Sequence, residues 1–393
     1  MRHSIFKQLK EIKHAINGYP EFVYARNNNF ELKGIPVFLY HTIDPQIFES
    51  HLVYLKENNY QTLDVNEFYK IIAGKSETKS KRLVLLTIDD ARSSVWRYAF
   101  PLLKKYQMHA TVFVIPGVTE DRTTYRENLK DYWNSKTDLK RIHEVDPNDD
   151  TLCTWHEIFE MYNSGFVNIE SHTLFHREIF VSKKIIDFIT PQTSPIPYNF
   201  PGSAYFSKKS LDQEFAISDY YGLPLFESQP LMLAGVKINI SPDFISQCKE
   251  IYFSSNKNDQ EWKRKIHGIV DDIGESKKYF SLQSNSKEDV IEDLSLAKEI
   301  IQSKLDIKAG NHLCLPWTIG NEETIKICKN IGIESCYWGV LEGRKINNPG
   351  DDPFYITRLK NDFIFRLPGI GRKSFVSIYN YKIKRRLSRE KVF

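Results

Sequence analysis

Short, nearly continuous apolar runs alternate along this chain with amphipathic helical patterns, and this alternation restricts the possible folds more than any other feature. Runs at 35–40, 83–88 and 110–115 are apolar at almost every position, as expected of strands buried on both faces. A helical pattern of apolar residues follows the first run at 48–55. A weaker strand pattern occurs at 167–169, and further strands are predicted at 312–315 and 335–338. Strands that alternate with helices predict parallel βα units.

Polar side chains stand where several of these runs end. His41 follows the first run, the pair Asp89-Asp90 follows the second, and His172 follows the weaker run at 167–169. In parallel α/β folds, functional groups lie at the carboxyl ends of the strands. We therefore expect these four side chains to meet in one site.

The alternation is lost between 183 and 289. This stretch is rich in proline, serine, asparagine and aromatic residues. A structureless loop of that length is uncommon inside a domain, so we predict an insertion or cap with structure of its own. Phe, Tyr and Trp make up 13% of the chain, a content that suits either a sugar-stacking surface in the cap or an aromatic-rich core.

The patterns predict a barrel over 34–380 that contains the insertion, preceded by an N-terminal amphipathic helix and connector at 1–33. A basic tail is predicted at 381–393. Both terminal segments could contact an anionic membrane surface. Packing of the helix on its own domain, and a solvated tail, are the favoured interpretations.

Charge, hydropathy and cysteine content exclude several classes of protein. The chain has 54 Lys+Arg against 50 Asp+Glu, a net charge of +4, too balanced to indicate a nucleic-acid partner. No apolar segment has the length of a signal-peptide core or a membrane span. Five cysteines without a C-x-x-C pair argue against disulfides and cysteine zinc sites. These observations predict a cytoplasmic protein, at most peripheral to the inner face of the membrane.

The acidic pair and two histidines have the composition of a catalytic metal site. His172 and His176 are four residues apart, so on a helical turn both imidazoles could face one point. Two histidines and one carboxylate leave coordination positions open for water and substrate, and the second carboxylate is then available as a base. Taken singly, each motif has a plainer interpretation, because Asp pairs are also common in turns.

These residues lie in motifs that resemble those of the polysaccharide deacetylase (NodB-homology) family. The motifs are Leu86-Thr87-Ile88-Asp89-Asp90-Ala91, Ser171-His172-Thr173-Leu174-Phe175-His176, Leu315-Pro316-Trp317 and the opening Tyr40-His41-Thr42-Ile43. The opening motif resembles the poly-N-acetylglucosamine deacetylase subgroup, in which the barrel is circularly permuted. The resemblance covers 34–180 well and 290–370 loosely. It implies a distorted parallel (β/α) barrel with a large insertion.

The resemblance also implies a role for each motif residue. Asp90, His172 and His176 would hold a divalent metal, with zinc expected, while Asp89 would be the general base and His41 the general acid. The residue types suit amide hydrolysis, which needs a Lewis acid, a base for the water proton and an acid for the leaving amine. No histidine occurs late enough in the chain to serve as the more usual acid of the family, which favours His41.

The sequence departs from the family pattern at the site. Ala91 replaces a glycine, and Cys314 replaces the arginine that orients the base. Arg358 is a candidate replacement and substrate contact, with an exposed surface position as the favoured alternative. His312 is interpreted as a buried strand histidine. We also predict that three further residues bind substrate, namely Pro316, Trp317 and Trp338. Core packing is the alternative for the two tryptophans.

The predicted function is a metal-dependent hydrolase that removes N-acetyl groups from an N-acetylhexosamine-containing saccharide or surface-polysaccharide intermediate. An O-acetyl esterase, or a hydrolase of another amide, could use the same metal site. A catalytically inactive carbohydrate-binding relative is a further alternative, motivated by the missing motif arginine. The sequence leaves the sugar, its linkage and the oligomeric state open.

Overall fold

The computed structural model describes residues 18–28, 30–77, 80–143, 151–212, 215–256 and 260–387. The strands are β1 (Val37–Tyr40), β2 (Gln61–Thr62), β3 (Leu83–Ile88), β4 (Ala110–Val114), β5 (Val167–Ser171), β6 (Glu178–Phe188), β7 (Pro224–Pro230), β8 (Lys237–Ile240), β9 (Phe280–Gln283), β10 (His312–Cys314), β11 (Ser335–Tyr337) and β12 (Leu359–Lys360). The helices are α1 (Glu21–Tyr24), α2 (Pro45–Glu57), α3 (Val65–Ile72), α4 (Phe100–Tyr106), α5 (Leu129–Trp133), α6 (Leu139–His143), α7 (Trp155–Asn163), α8 (Pro242–Ser254), α9 (Glu261–Asp271), α10 (Ile273–Tyr279), α11 (Lys287–Lys304), α12 (Glu322–Asn330) and α13 (Phe375–Leu387).

Eight parallel strands form one sheet. Seven of them lie side by side in chain order, from β1 through β3, β4, β5, β10 and β11 to β12, and β2 pairs with β3 beside this path. The seventh strand, β12, returns to pair with β1, and Ile356 just before it bridges to Tyr337 of β11. The same short segment therefore contacts both ends of the sheet and closes it into a barrel. This confirms the predicted parallel (β/α) barrel with a large insertion.

The predicted strands and helix starts form for local reasons. All residues of β3 and β4 are buried, as their continuous apolar sequence requires. The Asp44 carboxylate accepts a 2.9 Å hydrogen bond from the Ile47 N–H, and Pro45 occupies the first position of α2. That helix then buries Phe48 and Leu52 against the barrel.

The insertion between β5 and β10 carries two antiparallel pairs, β6 with β7 and β8 with β9, together with helices α8, α9 and α10. Of the two interpretations of the aromatic content, the aromatic-rich core is the one that describes this region, because its rings stabilise the insertion itself. The boundaries at 183 and 289 stay a prediction; β6 already begins at Glu178. The buried rings of the insertion include Phe188, Phe200, Phe206, Phe226, Phe244, Tyr252 and Trp262.

The chain termini add short elements to the barrel. Helix α1 buries Phe22 and Val23, whereas the amphipathic helix predicted within 1–33 falls largely on residues 1–17, outside the described part. Helix α13 runs through the start of the predicted basic tail, and 388–393 again lie outside the described residues. Among the helices of the described residues, none combines the length and apolarity needed to cross a bilayer.

A buried histidine on α2 predicts acid sensitivity of the fold. His51 Nδ1 lies 2.9 Å from the Tyr40 hydroxyl, and burial lowers the pKa of His51 to about 3 against an opposing influence of Asp362. Because the folded pKa is below the unfolded value, protons favour the unfolded chain. The contribution of His51 to stability is therefore fully present above the unfolded pKa of about 6.5, and it is lost at about 1.4 kcal/mol per pH unit as the pH falls from there towards 3.

His51→Gln keeps an acceptor for Tyr40 but does not titrate. Between pH 7 and pH 5, we expect the variant to lose about 2 kcal/mol less free energy of unfolding than the wild type. Urea denaturation at a series of pH values measures this difference. Parallel stability curves for the two proteins would contradict the prediction.

Candidate active site

Loops at the carboxyl ends of the barrel strands bring the predicted polar residues together. Asp89 and Asp90 follow β3, and His172 follows β5. Ligand atoms of Asp90, His172 and His176 all lie within 4.8 Å of one another and are buried. We call these three residues the triad. The structure brings them to a common point, as the strand ends predict.

The two histidines reach this point from an irregular loop. Thr173 and His176 have φ values of 70° and 50°, so the predicted helical turn is wrong. The loop is held by a 2.9 Å bond from the Leu174 N–H to the Asp293 carboxylate and a 3.1 Å bond from the His176 N–H to the Thr173 hydroxyl. Each left-handed non-glycine residue costs about 1–3 kcal/mol, a strain that is typical of functional sites.

The loop that carries the third triad residue shows the same left-handed backbone. Asp90 and Ala91 have φ values of 70° and 54°. Ala91 therefore adopts a conformation that the family glycine would reach without steric cost. Asp90 itself is held by Arg92, whose Nε and Nη2 both donate to Oδ2 at 3.0 and 2.9 Å.

The triad fits a divalent cation. His172 Nδ1 lies 2.9 Å from the Cys314 carbonyl, which can only accept, so Nδ1 carries the proton and Nε2 presents its lone pair. That Nε2 lies 3.6 Å from Asp90 Oδ1. His176 Nδ1 is buried and has no hydrogen-bond partner among the described residues. Burial and the neighbouring His172 lower the pKa of His176 to about 3, so its imidazole is neutral, as a metal ligand must be.

Asp89 is held separately from the triad by Arg358. The guanidinium donates two bonds to the carboxylate, from Nη1 to Oδ1 at 2.7 Å and from Nη2 to Oδ2 at 2.8 Å. Burial alone would raise the pKa of Asp89, but Arg358 and then His172 more than offset it and hold the pKa well below its usual value. Asp89 is therefore ionised and fixed in orientation, as a base must be.

Arg358 is 1% exposed, so the expectation of an exposed surface arginine is wrong. Besides Asp89, its N–H groups donate to the Trp338 carbonyl at 2.7 Å, the Thr87 hydroxyl at 3.2 Å and the Cys314 sulfur at 3.1 Å. All five donors of the guanidinium thus have partners inside the protein. The structure places Arg358 beneath the base, and it has no donor left for the predicted contact with substrate.

Cys314 explains how an arginine from a distant strand reaches the base. Its thiol stands at the position of the family arginine and donates to Asp89 Oδ2 at 3.4 Å. Burial raises the pKa of this thiol well above its usual value, so it is neutral. A small neutral side chain here leaves the barrel interior open to the Arg358 guanidinium.

His41 faces both carboxylates from the end of β1. Burial lowers the pKa of His41, while Asp90 and Asp89 oppose that shift by favouring the imidazolium. The residue keeps partial solvent exposure, so it can exchange protons with the solvent. A histidine that interacts with both carboxylates and reaches solvent suits a proton donor.

The predicted aromatic contacts differ in their surroundings. Trp317 is 41% exposed, and its ring centroid lies 4.2 Å from that of His176, beside the triad. Pro316, next to it, is buried. Trp338 stacks on Tyr355 and donates its indole N–H to the Phe354 carbonyl at 2.9 Å, so it packs in the core.

Sequence reasoning missed the residues that support the triad. Arg92 donates a hydrogen bond to Asp90. Its position two residues after Asp90 was a signal in the sequence that could have identified Arg92 as a partner of this carboxylate. Asp293 of α11 gives no such signal, because its contact with the Leu174 N–H joins residues far apart in the chain. His312 is buried in its strand, as predicted, with its Nδ1 2.7 Å from the Ser335 hydroxyl.

Comparison with known proteins relates the segment that carries this site to one family. The family model described as polysaccharide deacetylase matches residues 76–204, which include the triad and Asp89. Over 223 residues, the chain is 24% identical to the poly-beta-1,6-N-acetyl-D-glucosamine N-deacetylase of Staphylococcus aureus, an alignment that covers 56% of this chain and 66% of that protein. Over 89 residues, it is 35% identical to the putative polysaccharide deacetylase YxkH of Bacillus subtilis, covering 21% of this chain and 32% of that protein. The chain thus spans about one third to two thirds of the length of these two relatives.

Solved structures with a similar arrangement include a de-N-acetylase from Aggregatibacter actinomycetemcomitans, with 17% identity, a TM-score of 0.48 and coverage of 88% of this chain and 99% of that one. IcaB from Ammonifex degensii has 17% identity, a TM-score of 0.47 and coverage of 87% and 98%. Residues 76–204 of the chain match the polysaccharide deacetylase family, and Asp89 and the triad lie within this segment.

Proposed function

We propose that this protein is a metal-dependent hydrolase that removes N-acetyl groups from an N-acetylhexosamine-containing saccharide. The observation that carries the proposal is the Arg358-held Asp89 carboxylate beside the triad of Asp90, His172 and His176. A fixed base next to a three-ligand metal set is the arrangement that hydrolysis of an amide requires. The name of the S. aureus relative supports an N-acetyl group as the target.

Asp90, His172 and His176 would hold the metal, and zinc is the proposed ion because two imidazoles and one carboxylate are a ligand set it favours. The bound cation would polarise the acetyl carbonyl and acidify water. Arg92 donates two hydrogen bonds to one oxygen of Asp90, so it keeps the other oxygen, which faces His172, directed at the metal position.

Two side chains of the protein move the protons. Asp89, held ionised by Arg358, accepts the proton of the attacking water on its free lone pairs. His41, facing the carboxylates from β1, delivers a proton to the nitrogen that leaves the acetyl carbon. Trp317, exposed beside His176, offers a flat apolar face to the substrate at the mouth of the site.

The structure also bears on the alternative of an inactive relative. The missing motif arginine is the reason for that alternative, and Arg358 supplies a guanidinium at the base. An intact base and an intact ligand set therefore favour an active enzyme.

We also propose that the protein acts in the cytoplasm, which is supported by the five buried, free cysteine thiols. A peripheral contact with the inner face of the membrane is proposed for α13, which exposes Val376 and Ile383.

Acetate release tests the proposed reaction. Purified protein loaded with zinc is incubated with a β-1,6-linked N-acetylglucosamine oligosaccharide and with an O-acetylated, non-amide analogue. We expect release from the amide, loss of release after treatment with a chelator, and recovery when zinc is restored.

Asp89→Asn is the inactive reference, and Asp271→Asn, which changes an exposed acid on α9, is its matched control. Release from the ester alone would replace the proposed reaction with O-deacetylation. Equal release by wild type and Asp89→Asn would contradict the proposal for either substrate.

A further inference from the structure

Exposed aromatic side chains are concentrated in the segment between β4 and β5, away from the aromatic core of the insertion. Tyr125 is 47% exposed and Trp133 is 43% exposed, and Tyr132 and Phe159 of the same segment are also exposed. Large aromatic rings that remain in water and line the same groove, as Tyr125 and Trp133 do, indicate a binding site.

Tyr125 and Trp133 line a groove of about 490 Å³, which we call the flank groove. Its walls come from α4, α5 and α7 and the segments beside them, and the residues used below are Trp96, Tyr125, Trp133, Lys104, Lys130 and Lys136. The volume is within the range of small-molecule sites.

The aromatic surface of the flank groove is preorganised. Trp96 stacks on Tyr125 at 5.1 Å with an interplanar angle of 14°, and Tyr125 stacks on His156 at 4.0 Å. The indole N–H of Trp96 donates a 2.7 Å bond to the Arg126 carbonyl. Trp96 also stacks on Phe100 at 5.5 Å, so the faces of Trp96 and Tyr125 are covered by other rings and this stack forms a rigid wall of the groove. Trp133 has no ring stacked on it among the described residues, and Lys105 Nζ lies 5.3 Å from its ring centroid.

The charge of the flank groove is positive. Four lysines line it. Lys105 pairs with Glu49 at 2.6 Å, whereas Lys104, Lys130 and Lys136 have no carboxylate within ion-pair distance among the described residues. Two carboxylates also line the groove, and that of Asp131 is already engaged, since it accepts a bond from the Asn128 N–H. The other is Glu160, so the lysines outnumber the acids. Ammonium groups without a carboxylate partner, beside flat apolar rings, are complementary to a ligand that is both ring-shaped and anionic.

We propose that the flank groove binds a segment of an acidic saccharide, a chain of pyranose rings that carries carboxylate or phosphate groups. The exposed indole of Trp133 would pack against the apolar face of a sugar ring, and the lysines would pair with the acidic substituents. Trp96 follows Asp90 by six residues, a stretch of chain that spans at most about 22 Å. One saccharide strand could therefore contact both the flank groove and the triad. This link to catalysis rests on the proposed function, whereas binding in the groove does not.

Isothermal titration with hexagalacturonate tests the binding directly. This probe is an anionic pyranose chain without an N-acetyl group, so it reports on the groove independently of the reaction at the metal site. We expect saturable binding that weakens about 10-fold in Trp133→Ala. The double variant Lys130→Gln/Lys136→Gln should also weaken binding about 10-fold and reduce its salt dependence.

The matched controls are Phe253→Ala and Lys277→Gln, which change an exposed aromatic residue and an exposed lysine of the insertion and should bind as the wild type does. Asp89→Asn should also bind normally, so a failed acetate assay would leave the groove result intact. Equal binding of uncharged cellohexaose, tighter binding of a thymidine hexanucleotide, or unchanged binding by Trp133→Ala with a wild-type melting temperature would each overturn the proposal.

Discussion

His172→Ala is expected to remove the divalent metal from the protein and to lower kcat by at least about 1,000-fold. His172 is the ligand with the best-defined orientation, because its Nδ1 proton is committed to the Cys314 carbonyl and its Nε2 faces Asp90. Alanine leaves Asp90 and His176 alone at the site, and two ligands hold a divalent ion poorly. Elemental analysis of the purified protein measures the metal, and acetate release measures kcat.

His267→Ala, at an exposed position of α9, is the control and should keep both metal and activity. Circular dichroism establishes that His172→Ala is folded. A folded variant that retained a full equivalent of metal would show that the ion is held elsewhere. A variant that lost its metal but kept its activity would remove the metal from the proposed reaction.

Arg358→Met is expected to lower kcat about 100-fold while leaving the metal in place. The substitution removes both hydrogen bonds that orient Asp89 and leaves a buried carboxylate without its cation, at a cost of about 3–5 kcal/mol in stability. Since Arg358 holds the pKa of Asp89 low, its loss raises that pKa. The base must be ionised to act, so the acid limb of the pH–rate profile should move to higher pH.

A second variant separates this role from a general loss of stability. Cys314→Arg combined with Arg358→Met returns an arginine to the position that the family motif uses, and we expect it to recover part of kcat and the low-pH activity. Arg358→Lys should be intermediate, because an ammonium keeps the charge but not the two parallel hydrogen bonds. An unchanged acid limb in stable Arg358→Met would show that Arg358 does not control the base.

The sequence by itself determined the buried strands of the barrel and the polar side chains that follow them, because both depend on neighbouring residues in the chain. Continuous apolar runs predicted β1, β3 and β4 because strands buried on both faces tolerate few polar residues. The side chains that follow the strands, among them His41 and Asp89, lie at one end of the barrel because parallel strands end at the same edge. The motif match to residues 76–204 rests on the same local information.

Only the tertiary structure decided which arginine serves the base. Arg358 is separated from Asp89 by most of the barrel sequence, and it reaches the interior because its segment bridges β11 and pairs with β1 as the barrel closes. The left-handed loop that carries His176 and the burial of the insertion's aromatic rings were equally hidden. Each depends on contacts between residues distant in sequence, and a local pattern of residue types carries no information about which distant groups will fill the space around it.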